Sequence, residues 1–201
     1  MSKSVIDLIN KLDYSIIANH RKDLLKPLHD YVILKVKQKV EANLNFICTH
    51  NSRRSQIAQV WAKIMSDYYG FNINCFSGGT ITTECNKRTI ASFGRMGFTI
   101  KNPGGENPHY ELTYHEKKKP IIVFSKAYDD AINPRNNFAA IMTCTNADEN
   151  CPLIPGSEKR ISLPYEDPKV FDNSTQESEK YDERSLQIAM EMKYVFNKVL
   201  Y

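Results

Sequence analysis

The sequence has no apolar run approaching the length needed to span a bilayer. Its first residues, Met1-Ser2-Lys3-Ser4-Val5-Ile6-Asp7, lack the uninterrupted apolar core of a signal peptide, and a cytoplasmic location is the expectation. Excess charge of one sign is also missing. With 27 Lys and Arg against 23 Asp and Glu, the net charge of +4 suits small anionic substrates and gives no reason to expect nucleic acid or membrane as partner. No internal repeat or low-complexity stretch occurs. No C-x-x-C pair or histidine cluster offers a zinc site. Cysteine is sparse at five residues, and in a reducing compartment such thiols stay reduced, so paired ones point to catalysis or redox chemistry over structural bridges.

At 201 residues the chain suits one domain with an extension. Residues 1–43 form the expected helical extension. Val5, Ile6, Ile9 and Leu12 make one apolar stripe, and Leu24, Leu25, Leu28, Val32 and Val36 a second. Such stripes usually pack on their own domain; a homodimer interface is the alternative. From 44 to 201 the pattern alternates. Leu44–Cys48 reads as a strand, Ser55–Tyr69 as a helix stopped by Gly70, Asn72–Ser77 as a strand followed by a Gly78-Gly79 turn, and Lys87–Met96 as a helix ended by Gly97. Tyr110–His115 and Pro120–Ser125 read as two strands, and Phe138–Thr143 as a core strand. A long loop is expected from Cys144 to Ser157, then a short strand near Arg160–Leu163 and a closing amphipathic helix, Tyr181–Leu200. The expected fold class is α/β, a three-layer sandwich around a central, mainly parallel sheet.

The most informative segment is Cys48-Thr49-His50-Asn51-Ser52-Arg53-Arg54-Ser55-Gln56, between a strand and a helix at the carboxyl end of the sheet, where open α/β sheets place ligands. Amide groups of a tight loop can converge on a tetrahedral anion, and the positive end of the following helix adds to that field. The same field favours thiolate over thiol at Cys48. Arg54 can grip two oxygens of the anion in a planar fork. Thr49, Asn51 and Ser52 can hold the turn by side-chain hydrogen bonds. Thr49, His50, Asn51, Ser52, Arg53 and Arg54 are therefore the candidate substrate-binding residues. A buried strand-end thiol beside a surface arginine is the bland alternative.

This segment resembles the low-molecular-weight protein tyrosine phosphatase superfamily, including its thioredoxin-coupled arsenate reductase branch. The resemblance continues through Trp61, Ser77-Gly78-Gly79-Thr80 and Asp167-Pro168. It covers most of residues 44–200 but not the extension. It implies that Cys48 is the nucleophile, that Arg54 binds the oxyanion, that Ser55 hydrogen-bonds the nucleophile and that Asp167 is the general acid. Pro168 restricts the backbone before it and can hold Asp167 extended. Cys144-Thr145-Asn146-Ala147-Asp148-Glu149-Asn150-Cys151 resembles the redox loop of the reductase branch, with second and third catalytic cysteines seven positions apart. On that resemblance the reaction is reduction of arsenate through a Cys48–Cys144–Cys151 disulfide relay. An external thioredoxin-like dithiol would be the reductant, with no tightly bound cofactor. Gln59 replaces a potassium-linked glutamate of some reductases, so no metal is expected. His50 and Arg53 stand where close relatives often have glycine and cysteine. Cys75 and Cys85 match no relay position and are assigned to packing. A phosphotyrosine phosphatase using Cys48, Arg54 and Asp167, with Tyr165 and Phe171 at the substrate mouth, is the second reading. A non-enzymatic thiol or oxyanion sensor is the third.

Overall fold

The computed structural model describes residues 3–150 and 153–200. Two helices, α1 (Lys3–Lys11) and α2 (Asn19–Gln38), precede the first strand, β1 (Ala42–Cys48). The strand starts two positions before the expected Leu44, inside the expected extension. It is followed by α3 (Arg54–Tyr68), β2 (Ile73–Gly79), α4 (Lys87–Arg95), β3 (Thr99–Lys101), β4 (Tyr110–Thr113) and β5 (Ile121–Val123). The chain closes with β6 (Phe138–Met142), α5 (Thr145–Asn150), β7 (Ser157–Ser162) and α6 (Glu177–Asn197). No helix among the described residues is long and apolar enough to cross a membrane.

The central sheet has four strands in the order β2-β1-β6-β7, all parallel. Period-two alternation divides its faces. Leu44 and Phe46 of β1, with Ala139 and Ile141 of β6, point into the main core, whereas Ile47, Phe138, Ala140 and Met142 point to the other face. The main core lies under α3, α2 and α6 and includes Trp61, Leu28, Met192 and Phe196. The Trp61 indole donates to Ser185 Oγ at 2.9 Å and meets Phe98 edge-on at 5.6 Å. The opposite layer is thin: α5, Ile154 and the Tyr128 ring cover it. Val5 and Ile9 of α1 and Leu25, Leu28 and Val32 of α2 share the main core with the sheet, so the N-terminal stripes pack on this same fold.

Four features depart from the pattern reading. Gly78 and Gly79 end β2 and do not turn; a Cβ on Gly78 would lie 2.2 Å from Tyr128 Cα, so the glycines mark a close backbone approach. The segment after Cys144 is not a long loop throughout, because Thr145–Asn150 is helical and buries Ala147. A second, antiparallel sheet β3-β4-β5 accompanies the parallel one; its short edge strand, three residues long, lacks an apolar signal. Helix α6 also begins a turn earlier than expected, at Glu177, where Glu177 and Glu179 lie at the favourable positive end.

Candidate active site

The loop from Cys48 to Arg53 joins the buried end of β1 to α3. Its carbonyls are all drawn outward. Cys48 O accepts from Thr80 N at 3.2 Å, Thr49 O from Ile81 N at 2.8 Å, and Ser52 O from Asn86 N at 3.0 Å. His50 O accepts from Ser125 Oγ at 2.8 Å, and Asn51 O from Gln56 Nε2 at 2.9 Å. Arg53 O accepts from Ile57 N at 2.9 Å, the first turn of α3. The amides of His50, Asn51, Ser52 and Arg53 find no backbone acceptor among the described residues. Carbonyls out and amides unclaimed is the arrangement of a nest that binds an anion. Asn51 adopts φ +46°, which Asn tolerates better than most side chains. A Cβ on Gly79 would come within 2.8 Å of Asn51 N and Thr49 O, so glycine there lets β2 lie against the loop.

The nucleophile's surroundings follow. Cys48 is 3 % exposed, and its Sγ lies 3.0 Å from Ser55 Oγ. Ser55 Oγ already accepts from Asn51 Nδ2 at 2.8 Å, which leaves its own hydrogen for the sulfur. Arg54 Nη2 pairs with Asp167 Oδ2 at 2.7 Å, and Arg54 Nη1 donates to Tyr165 O at 3.1 Å. Arg54 Nε is buried and unpartnered, a donor free for an oxyanion. Asp167 also accepts from Lys169 N at 3.1 Å and so caps the short turn Pro168–Phe171. Thus Arg54, the expected anion ligand, and Asp167, the expected general acid, meet across 113 residues of sequence. A depression of about 10 Å³, the room of roughly one water, lies between Cys48, His50, Ser52, Arg53, Arg54 and Asp167. It adjoins a cleft of about 670 Å³ that also reaches Cys144, His20 and Arg184.

The remaining expected residues take varied places. Ser52 Oγ donates to Glu84 O at 2.7 Å and braces the loop. The His50 side chain is exposed. Arg53 turns its guanidinium toward α6, donating to Tyr181 Oη at 2.7 Å and Asp172 Oδ2 at 3.3 Å. Arg53 also lines the anion depression, with its Nε 3.9 Å from Asp167 Oδ1. Thr49 Oγ1 donates to Asn146 Oδ1 at 3.1 Å and lies 3.5 Å from Cys144 Sγ. Cys144 is 1 % exposed at the end of β6 and accepts from Ala147 N at 3.4 Å. It shares the smaller apolar cluster with Cys48. Cys151 lies outside the described residues. Burial pushes the Cys85 thiol up to about 12, with Lys126 acting the other way, so Cys85 stays protonated near neutrality. Tyr165 lines the larger cleft, with its hydroxyl turned inward to donate to Glu191 Oε2 at 2.8 Å. Among the described residues no cluster of His, Cys, Asp and Glu is arranged for a metal ion.

A cysteine–arginine loop between the first parallel strand and the next helix, faced by an aspartate, defines a low-molecular-weight protein tyrosine phosphatase-like fold. A phosphatase of this type from Vibrio cholerae O395 superposes with a TM-score of 0.53, covering 78% of this chain and 95% of that one at 16% identity. An arsenate reductase in a phosphate-binding state gives a TM-score of 0.50, covering 79% and 98% at 17% identity. In sequence, an arsenate reductase of Staphylococcus aureus strain Newman is 32% identical over 124 residues, which is 61% of this chain and 76% of that one. Arsenate reductase 1 of Staphylococcus saprophyticus is 30% identical over 123 residues, with the same two shares. No family model matches the chain. The chain belongs to the arsenate reductase family of these relatives.

Proposed function

We propose that this protein reduces arsenate to arsenite through Cys48 and an intramolecular disulfide relay. The observation that carries this reading is the position of Cys144, at the end of the strand beside β1, with its Sγ 3.5 Å from the Thr49 hydroxyl of the anion loop. A phosphatase has no use for a second thiol there. Arsenate is a tetrahedral anion that suits the unclaimed loop amides and the free Arg54 Nε. The Cys48 thiolate attacks arsenic, and one arsenate oxygen leaves as water with a proton from Asp167. The Cys144 thiolate then attacks Cys48 sulfur. The sulfur–arsenic electron pair stays on arsenic, which departs as arsenite, and a Cys48–Cys144 disulfide remains. Attack of Cys151 on Cys144 moves the disulfide to Cys144–Cys151 and frees Cys48. A thioredoxin-like dithiol restores the pair by ordinary exchange.

Arg54 holds Asp167 before chemistry. When the fork turns to the anion, that ion pair loosens and the carboxyl faces a leaving oxygen. The cleft of about 670 Å³ supports a second reading, a phosphatase whose esterified substrate extends out of the anion depression. Turnover of arsenate and of a phosphotyrosine analogue, each with and without thioredoxin, decides between them. Thioredoxin-dependent arsenite formation exceeding ester hydrolysis is expected. Hydrolysis with no arsenite formation would establish the phosphatase.

A further inference from the structure

Lys126 is a buried charge with no carboxylate beside it. The residue is 3 % exposed, its Nζ lies 4.6 Å from the centre of the Phe124 ring, and no described acidic group lies within ion-pair distance. Among the described residues its ammonium has one close polar contact, Ser77 Oγ at 3.5 Å. An ammonium buried without an anion is costly, and such groups persist where they serve something nearby. Here the hydrogen bonds lead to the nucleophile. Ser77 Oγ accepts from Lys126 and donates to Gln59 Oε1 at 2.5 Å, with Gln56 Oε1 at 3.3 Å. Gln56 Nε2 donates to Asn51 Oδ1 at 3.0 Å, and Lys126 N donates to the same oxygen at 3.1 Å. Asn51 Nδ2 donates to Ser55 Oγ, and Ser55 reaches Cys48 Sγ. The Ser77 hydroxyl has one hydrogen and gives it to Gln59, so Gln56 is the weaker contact; the polar contacts from the ammonium to the sulfur run among buried side chains.

We propose that the Lys126 ammonium is a fixed internal cation beneath the Cys48 loop, a positioning residue that holds the Ser77–Gln56–Asn51 lattice in its anion-binding form. This rests on the reading of that loop as the oxyanion site. An anion seated above the loop adds to the counter-charge that Asp130 supplies from beyond ion-pair distance. The charged and titratable groups whose fields reach the ammonium are Asp130 and Cys85. Burial drives the ammonium down to about 8, against the opposing pull of Asp130 and Cys85, so anion binding at the loop and protonation of Lys126 strengthen one another.

The test is alkylation of Cys48 by iodoacetamide under increasing phosphate, in wild type and K126M, whose side chain has similar length and no charge. Protection by phosphate in wild type establishes the baseline; without it the oxyanion reading itself fails. The expected result is protection about tenfold weaker in K126M, with a thermal midpoint at neutral pH no lower than that of wild type. A support of packing alone would lower the midpoint instead. Equal protection in both proteins overturns the inference while leaving the oxyanion site standing. Should K126M not fold, the Nζ resonance of Lys126 in wild type is titrated with and without phosphate. A midpoint raised by phosphate supports the coupling, and an unmoved midpoint overturns it.

Discussion

Arg21, in the helix before the first strand, forks Glu191 near the end of the chain, with Nε–Oε1 at 2.9 Å and Nη2–Oε2 at 2.7 Å. Its third nitrogen donates to Pro164 O at 2.9 Å, and its guanidinium lies 4.8 Å from the Tyr165 ring centre. The N-terminal helices thus clamp the strand-to-loop segment that carries Asp167. Glu191 is 1 % exposed, so removal of its partner strands a buried carboxylate. R21L should cost about 3–5 kcal/mol of stability. The kcat should fall with little change in KM, because Asp167 loses its anchor while the anion loop is intact. Denaturant titration and steady-state kinetics measure the two effects; a variant as stable and active as wild type would show the clamp to be idle.

C48S should eliminate turnover of either substrate, since an alcohol at that position is far less ionised and less nucleophilic than a thiolate. Iodoacetamide should label Cys48 ahead of Cys85, whose thiol is held protonated by burial, and phosphate should slow the labelling. Peptide mapping by mass spectrometry reads both. Indiscriminate labelling that ignores phosphate would remove the activated loop from the account.

R54K retains charge but loses the fork. In the wild type Nη2 holds Asp167, Nη1 holds Tyr165 O, and Nε remains for the anion. Lysine offers one point of attachment and cannot serve three directions at fixed geometry. The expected loss in kcat is about 10²–10³-fold, with weaker phosphate protection of Cys48. Kinetics within a few-fold of wild type would place the guanidinium outside the chemistry.

The stability of the protein should carry a signature of Lys126. In the fold its ammonium titrates at about 8, against an ordinary 10.5. Between those values the unfolded chain binds the proton and the folded one does not, so this group makes stability rise with pH across that window. Below it the penalty is fully present, at most about 3 kcal/mol. K126M removes the penalty, so its advantage over wild type should be largest near neutrality and shrink toward about pH 10. Urea titrations at both ends of the window measure this; a constant difference would mean that burial does not lower Lys126.

What could be read from the sequence was what local chemistry dictates. Cysteine, arginine and serine at Cys48, Arg54 and Ser55 between a strand and a helix are a short-range pattern, to which the structure adds Asp167, paired with Arg54. The alternation of β1 and β6 and the apolar face of α6 are likewise periodic signals. The rest depends on distance in the chain. Nothing near Lys126 announces that its ammonium will be buried under residues 77 and 51, and nothing at Arg21 points to Glu191, 170 positions on. Gly78-Gly79 looks like a turn because glycine's local use is conformational; its role here is the absence of a side chain facing Tyr128. The helix after Cys144 carries no apolar signal because its sequence is polar; Ala147, buried on the thin face of the sheet, and Asp148, paired with Arg160 and Ser162, hold it down.

Cys144 and Cys151 separate reduction from hydrolysis. Cys144 is buried beside the anion loop, its sulfur held by the Thr49 hydroxyl and the Ala147 amide. To attack Cys48 it must leave those contacts, and to be attacked by Cys151 it must come outward. The helix Thr145–Asn150 is six residues long and buries one side chain, Ala147, so both movements require it to part from the Asp148 contacts with Arg160 and Ser162 and the Asn146 contact with Thr49. C144S should stop arsenite release, because nothing then resolves the Cys48 adduct. C151S should complete about one turnover and stall as a Cys48–Cys144 disulfide. Any phosphatase activity should survive both changes, since water, not a thiol, resolves a phosphocysteine. Hydrogen exchange of the 145–150 amides should quicken when the stalled disulfide forms. Mass mapping after one equivalent of arsenate identifies the disulfide in each variant. Unimpaired multiple turnover in both would eliminate the relay and leave the loop of Cys48 as a hydrolytic site.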